Sequence, residues 1–400
     1  MTITEDDLRG RVRQLLASQD PRGDRMEFLR AQFDAGLAWV HFPAGLGGLD
    51  APRALQAVVD AELASAAAPT NDPRRIGIGL GMAAPTILTH GTDAQRQRWL
   101  RPLWTGEQVW CQLFSEPGAG SDLAALGTRA VRDGTGGDWV VNGQKVWTSQ
   151  AHEARWAILV TRTDPDVPKH KGMTYFALDM SANGVEVRPL RQLTGEAEFN
   201  EVFLTDVRIP DDYRLGEIGD GWRVAQTTLM NERVAIGGGP APRESGAISA
   251  VAAAWRSRPE LRTAAAHDEL MRLWVEAEAT RLTGLRLRQQ LAVGAPGPEG
   301  SAAKLAFARL NQEITGFELD LLGAEGLRYE DWSGDTWRSE RPAAVDFLGR
   351  SPGYRYLRAK GNSIEGGTSE ILRNIIAERV LGLPGEIRAD KTVAWKDLPK

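Results

Sequence analysis

The sequence predicts an α+β protein, with a helical block, then a block of short strands, then helices again. Three observations support this. Apolar positions recur at the helical period up to about Glu107, the period shortens from about Val109, and the helical period resumes after Gly219-Asp220-Gly221. No β-α-β alternation occurs, which argues against a doubly wound nucleotide-binding fold. At 400 residues the chain exceeds the size at which a single hydrophobic core keeps growing, so separate cores are expected.

The first block carries helical apolar sets at Val12, Leu15 and Leu16, then at Ala51, Leu55, Val58, Val59 and Leu63, and at Trp99, Leu100 and Leu103. Breaks such as Pro43-Ala44-Gly45-Leu46-Gly47-Gly48 divide them. The second block holds β-rich runs at Trp156–Thr161, Met173–Leu178, Val185–Arg188 and Phe199–Leu204, consistent with a compact antiparallel β domain. The third block reads as helix over Trp222–Arg233, Asp268–Leu291 and Ala302–Leu322, with a linker at 293–298. A last helix is expected over Thr368–Val380, with Thr368 or Ser369 as its N-cap. The boundaries are 1–108 for the N-terminal helical domain, 109–221 for the central β domain and 222–385 for the C-terminal helical domain. Residues 386–400 form a polar tail, expected to be loose or docked on a neighbour.

Composition narrows the function classes. A net charge of −5 and a pI near 5.7 leave no basic stripe for nucleic acid. Cys111 is the sole cysteine, and the five histidines (His41, His90, His152, His170, His267) show no metal-ligand spacing. The acidic start has no signal-peptide core and no run is long enough to span a bilayer, so a cytoplasmic enzyme without membrane contact is the expectation.

Two segments concentrate the chemistry. Ser115-Glu116-Pro117-Gly118-Ala119-Gly120-Ser121-Asp122 is a Gly/Pro turn whose small residues let backbone N–H groups and two hydroxyls approach an anion or a polar ring edge. Asn142-Gly143 lies between Trp139-Val140-Val141 and Lys145-Val146-Trp147, which signals a β-hairpin. Together they resemble the flavin-binding signature of the acyl-CoA dehydrogenases. The likeness extends from near the start of the chain to about Pro384. It includes Ala84-Pro85, Gly91-Thr92, Gln95, Trp99-Leu100-Arg101-Pro102-Leu103, Phe199-Asn200-Glu201-Val202-Phe203, Val207-Arg208-Ile209-Pro210, Gly219-Asp220-Gly221-Trp222 and Glu365–Leu383. The family layout implies a C-terminal domain of four-helix-bundle type.

The resemblance implies an FAD-dependent oxidoreductase that converts an acyl-CoA thioester to its 2,3-enoyl derivative and passes electrons to an electron-transfer flavoprotein or similar acceptor. It sets Phe114 and Ser115 against the flavin ring, stacks Trp147 on it, has Ser115 and Ser149 bond its edge, and brings Thr368 to the cofactor's far end. Ser121 would sit at the mouth of the acyl-CoA cleft, with Arg233 as a further substrate contact.

The reaction needs a carboxylate to take the proton beside the thioester carbonyl, and a dry pocket makes a carboxylate a stronger base. Many family members carry it in a Glu-Gly-Thr motif, but Gly366 stands at that place here. A smaller group, including the isovaleryl-CoA dehydrogenases, has a glutamate before an arginine on an earlier helix, which Glu232-Arg233 matches. Glu232 has Thr228, Leu229, Ala235 and Ile236 three and four positions away on the helix, a mostly apolar face. Glu232 is therefore the first candidate and Glu365, one position early, the second.

The family's Arg-x-x-Phe-Gly segment, which reaches a neighbour's flavin, is missing between Gly239 and Ala264, where Arg256, Arg258 and Arg262 are the available substitutes. A homodimer or homotetramer is expected, with room for a hetero-oligomer. The competing readings are a flavin oxidase on this scaffold and a non-catalytic subunit that completes a partner's site. Gly77-Ile78-Gly79-Leu80-Gly81 lacks the third glycine of a dinucleotide loop, and Ser363 is not in a nucleophile elbow.

Overall fold

Helix starts in the first domain are written in its hydroxyls. Thr4 accepts from the Asp7 N–H while the Asp7 carboxylate accepts from the Thr4 N–H, a capping box that opens α1 (Glu5–Ser18). In the computed structural model the described residues are 3–134, 137–236, 241–293, 297–298, 300–328, 347–386 and 388–399, and the side chains of 74, 232–236, 291–293 and 389 are not among them. The first domain continues with α2 (Arg25–Asp34), α3 (Gln56–Ser65), α4 (Pro73–Ile78), α5 (Ala84–His90) and α6 (Asp93–Thr105). A π-helical turn over Gly79–Ala83 joins α4 to α5, so the glycines there serve a helix and not a phosphate loop. Thr92 and Gln95 form a second capping box on α6, and Gly106 ends that helix in the left-handed region at φ 83°.

The central domain is one sheet of β1 (Trp110–Leu113), β2 (Arg129–Arg132), β3 (Trp139–Ser149), β4 (Trp156–Arg162), β5 (Met173–Asp179), β6 (Val185–Leu190), β7 (Phe199–Ile209) and β8 (Arg214–Leu215). The strand order is β6-β7-β3-β2-β4-β5-β8, with β1 beside β4. Antiparallel pairing dominates, and only β1 and β2 run parallel to β4. Every residue of β4 is buried because both faces are covered. Trp156, Ile158 and Val160 meet the first domain, while Ala157 and Leu159 meet Val141, Phe176 and Val202 on the other side.

The hairpin expected at Asn142-Gly143 is not there. β3 runs straight through it, with a register shift against β7 between Val141 and Gly143. Glycine is needed at 143 for a different reason: a Cβ would lie 2.3 Å from Thr128 Oγ1 and 2.7 Å from its Cα. The β2–β3 connection instead spans the segment after Arg132, where the Asp133 N–H reaches the Asp138 carbonyl at 2.8 Å.

The third block comprises α7 (Gly221–Ile236), α8 (Ala247–Ser257), α9 (Ala264–Val293), α10 (Gly300–Leu322), α11 (Pro352–Ala359) and α12 (Ser369–Ile375), the last continuing as a π turn to Val380. α8 and α11 were not foreseen, being short and without a long apolar period. Ile248 and Val251 of α8 pack with Leu270, Leu273, Leu310 and Ile314 of α9 and α10.

Two contacts tie this frame together. Thr228 Oγ1 on α7 lies 2.8 Å from both Thr86 Oγ1 on α5 and Tyr175 Oη on β5, and Thr86 and Tyr175 are fully buried. Thr228→Val is expected to cost about 1–3 kcal/mol by stranding the Tyr175 hydroxyl. A drop in melting temperature that Thr228→Ser does not share checks it.

The second contact corrects the expectation for the tail. It is neither loose nor reserved for a neighbour, since the Trp395 N–H donates to the Val167 carbonyl at 2.9 Å and the Lys396 N–H to the Pro165 carbonyl at 3.0 Å. The tail's polar composition hid the one aromatic side chain that anchors it.

Candidate active site

The Ser115–Asp122 turn is closed by reciprocal 3.0 Å bonds between Glu116 and Ala119. The Glu116 carboxylate folds back beneath it, accepting from the Gly127 N–H at 2.7 Å, the Thr128 N–H at 3.0 Å and Lys145 Nζ at 2.8 Å. Lys145 is fully buried and also donates to the carbonyls of Phe114 at 3.0 Å and Val160 at 2.9 Å. Burial pushes the Lys145 ammonium below its ordinary pKa, against the pull of Glu116. Burial also works against ionised Glu116, but Lys145 and the surrounding donors outweigh it and hold that carboxyl low. Behind them burial brings the Arg162 guanidinium down to about 10. Sequence reasoning missed this charge pair. Its signal was a lysine sharing the inward parity of Val141 on β3, facing an acid in a Gly-rich turn.

Trp147 stands on a bulge. The β3–β7 register shifts again between Lys145 and Thr148, and Trp147 takes φ 61°, a left-handed conformation costly for a bulky residue. The bulge turns the indole outward, so Trp147 is 60% exposed and meets Phe199 edge-on at 6.0 Å. It is thus no strand-core residue. The next side chain, Thr148, is buried, and its hydroxyl has no hydrogen-bond partner among the described residues.

The Val146 N–H donates to the Ser115 carbonyl at 2.9 Å, which sets Ser115 against the strand residue before Trp147. Ser149 is half-buried opposite Phe199. The Val146–Ser115 bond brings the end of β1, with Phe114 and Ser115, against the part of β3 that leads to Trp147 and Ser149. Ser121 is exposed at the far end of the turn, next to Asp122, which pairs with Lys169 at 2.5 Å.

The loop before α12 approaches this part of β3 from the helical side. Thr368 caps α12 by accepting from the Ile371 N–H at 3.3 Å, and the glycines before it adopt φ 66° and 95°. The Glu365 carboxylate is held by Arg358 at 3.1 and 3.0 Å and by Asn362 at 2.6 Å. Arg358 lies 3.9 Å from Glu198, the residue before Phe199, which links the Thr368 loop to the strand that Trp147 meets.

Glu232 falls on α7, one turn beyond Thr228, but the side chains of Glu232 and Arg233 lie outside the described residues, as do those of Ala235 and Ile236. The visible half of the expected face behaves as an apolar surface, with Thr228 buried and Leu229 packed on the core. A stack joins the helix to the turn: the Phe114 ring meets Tyr175 edge-on at 5.8 Å, and the Tyr175 hydroxyl meets Thr228.

The arginines considered as substitutes are engaged. Arg256 pairs with Glu244, Arg258 with Glu260 and Glu325, and Arg262 donates to the Trp255 and Arg256 carbonyls. Among the described residues no cluster could hold a metal ion, and no helix is long and apolar enough to cross a membrane.

The residues present fit a planar aromatic cofactor. The Trp147 indole, turned outward at a bulge, offers a stacking face, and Ser115 and Ser149 are only partly buried nearby in the chain and its pairing.

Comparison with known proteins gives a consistent result. Residues 4–107, 111–207 and 219–381 match the N-terminal, middle and C-terminal domains of acyl-CoA dehydrogenase. Acyl-CoA dehydrogenase FadE34 of Mycobacterium tuberculosis is 44% identical over 356 residues, covering 88% of this chain and 45% of FadE34, so the chain spans less than half of that relative. Acyl-CoA dehydrogenase IpdE1 of the same organism is 37% identical, with 88% of this chain and 86% of IpdE1 covered. The solved Tcur3481-Tcur3483 steroid ACAD superposes with a TM-score of 0.72 at 27% identity, over 96% of this chain and 97% of that one. The ChsE4-ChsE5 complex of Mycobacterium tuberculosis gives 0.68 at 27% identity, over 96% and 100%.

Proposed function

Because the chain belongs to the acyl-CoA dehydrogenase family, we propose that it oxidises a CoA thioester between C2 and C3 to the 2,3-enoyl thioester, with FAD as cofactor and Glu232 as base. FAD held at this site would supply the hydride acceptor for C3. Phe114 and Ser115 would line the ring, Trp147 stack on it, Ser149 bond its edge and Thr368 reach its far end. Glu232 would take the C2 proton, and Ser121 and Arg233 would contact the thioester.

The observation that carries this reading is the outward indole of Trp147, next in the chain to Val146, whose N–H bonds the Ser115 carbonyl. Glu365 suits the base role less well, because its carboxylate oxygens are already engaged by Arg358 and Asn362. Anaerobic mixing with a panel of CoA thioesters tests the proposal: the 450 nm flavin band should bleach with at least one of them. Bleaching by none would overturn it. Ring-bearing thioesters belong in the panel because the structurally similar Tcur3481-Tcur3483 protein is a steroid ACAD. Peroxide release without an added acceptor would favour the oxidase reading.

Trp147→Ala is expected to weaken FAD retention about two- to tenfold, the equivalent of ~0.5–1.5 kcal/mol of ring stacking. Its melting temperature without cofactor should hardly move, because the side chain is exposed. Titration of the apoprotein with FAD checks this.

A second reading concerns assembly. The missing Arg-x-x-Phe-Gly segment and the engagement of Arg256, Arg258 and Arg262 favour a different but related chain as the partner that completes the flavin site. Relatives titled as two-protein assemblies agree with this. Flavin retained by the chain expressed alone would count against it.

A further inference from the structure

The segment 388–399 lies beyond the family match, which ends at residue 381, yet it packs at two points on the stretch that leaves the Ser115–Asp122 turn, near Asp122 and at Ala125–Gly127. At the first, Lys169 is 3% exposed and sits 2.5 Å from both Asp122 and Asp390. The Lys169 hydrogen bond lowers the Asp390 carboxyl to about 2, so Asp390 meets Lys169 as a carboxylate. At the second, the Trp395 indole covers the Arg162 guanidinium at 5.0 Å and donates from Nε1 to the Ala125 carbonyl at 3.1 Å. It also lies against Gly127, whose N–H binds Glu116, since a Cβ at 127 would be 3.8 Å from Trp395 Cζ2. Backbone bonds from Trp395 and Lys396 to Val167 and Pro165 fasten the segment between these two points.

The Glu116 side of the turn is tightly bonded, but its Gly118–Ser121 stretch is open. Gly118 and Gly120 face open space, and Ser121 is exposed. Without the segment, Lys169 would keep Asp122 but lose Asp390, its second carboxylate, and Ala125 and Gly127 would lose the indole that covers them, so the stretch that follows Ser121 would be less firmly held.

We propose that residues 388–399 are a brace for this turn, with Trp395 and Asp390 as positioning residues that hold Ser121 in place for the CoA thioester. The role of Ser121 rests on the function proposed above; the brace itself does not.

Trp395→Ala, Trp395→Phe and Asp390→Asn in the full, flavin-loaded chain test it by two readouts. Amide hydrogen exchange over residues 116–128 should rise roughly tenfold in Trp395→Ala, with β4 and β5 unchanged. KM for the thioester that bleaches the flavin should rise roughly three- to tenfold, the loss expected of one cation–π contact, at unchanged kcat and flavin content. Trp395→Phe, which keeps a ring over Arg162, should recover most of both effects, and Asp390→Asn should reproduce them at the Asp122 end.

Unchanged exchange in the turn overturns the brace. So does a rise spread over the whole sheet, or a joint fall of kcat and flavin content, because either would mean general fold support. Local loosening with no change in KM overturns the link to substrate. A parent protein inert towards every thioester would defeat the proposed function instead, and the exchange measurement would still decide whether the brace exists.

Discussion

Glu232→Gln protein carrying its full complement of FAD is expected to turn over its thioester about 10²- to 10⁴-fold more slowly than the parent, the range for losing a positioned general base. The amide keeps the size and most of the polarity of the side chain but cannot accept the C2 proton. Flavin content and thioester binding should therefore persist while kcat falls. Glu365→Gln makes the contrast. Glu365 already spends its charge on Arg358 and Asn362, so its removal should show mainly as lost stability of the loop before Thr368. The two variants, compared by single-turnover bleaching of the flavin, decide between the candidates. If Glu232→Gln bleaches at the parental rate and Glu365→Gln does not, the assignment reverses.

Lys145→Met is expected to destabilise the protein by about 3–5 kcal/mol, the cost of leaving a buried charge without its partner. Lys145 is fully buried, and its ammonium is the only side-chain cation bonded to Glu116 among the described residues. Its loss leaves the carboxylate with two backbone N–H groups, and frees the carbonyls of Phe114 and Val160. Because Phe114 and Ser115 belong to the proposed flavin site, cofactor content should fall as well. The double variant Glu116→Gln with Lys145→Met removes both charges and should recover much of the loss, since the Gln oxygen can still accept from Gly127 and Thr128. Denaturant unfolding of the two variants checks the sign of that recovery. A single variant as stable as the parent would show that the pair is dispensable.

The helix–strand–helix order was legible because the apolar period changes sharply near Val109 and again near Gly221, and periodicity is what the layering of the fold responds to. Local turn chemistry was less reliable. Asn142-Gly143 has the composition of a hairpin, but tertiary packing against Thr128 claims the glycine and the strand continues. α8 and α11 escaped notice because 11 and 8 residues give too few turns to establish a period. In the site, the resemblance pointed to the turn and the indole; the structure bonds the turn to β3 through Val146 and turns the indole outward. The inward parity of Lys145 was the one sequence sign of the Glu116–Lys145 pair, and it did not name Glu116 as the partner; the Trp395 anchor left no sign at all. Both depend on residues far apart in the chain, and neither charge nor aromaticity at a single position announces its partner.

The three hydroxyls of Thr86, Tyr175 and Thr228 come from three different parts of the chain, yet they share one dry junction. Heating cannot release α7 without also parting it from the first helical block and from the sheet. Calorimetry should then record one endotherm spanning all three parts, with activity surviving up to the onset of that peak and vanishing across it, and no warm, inactive species beforehand.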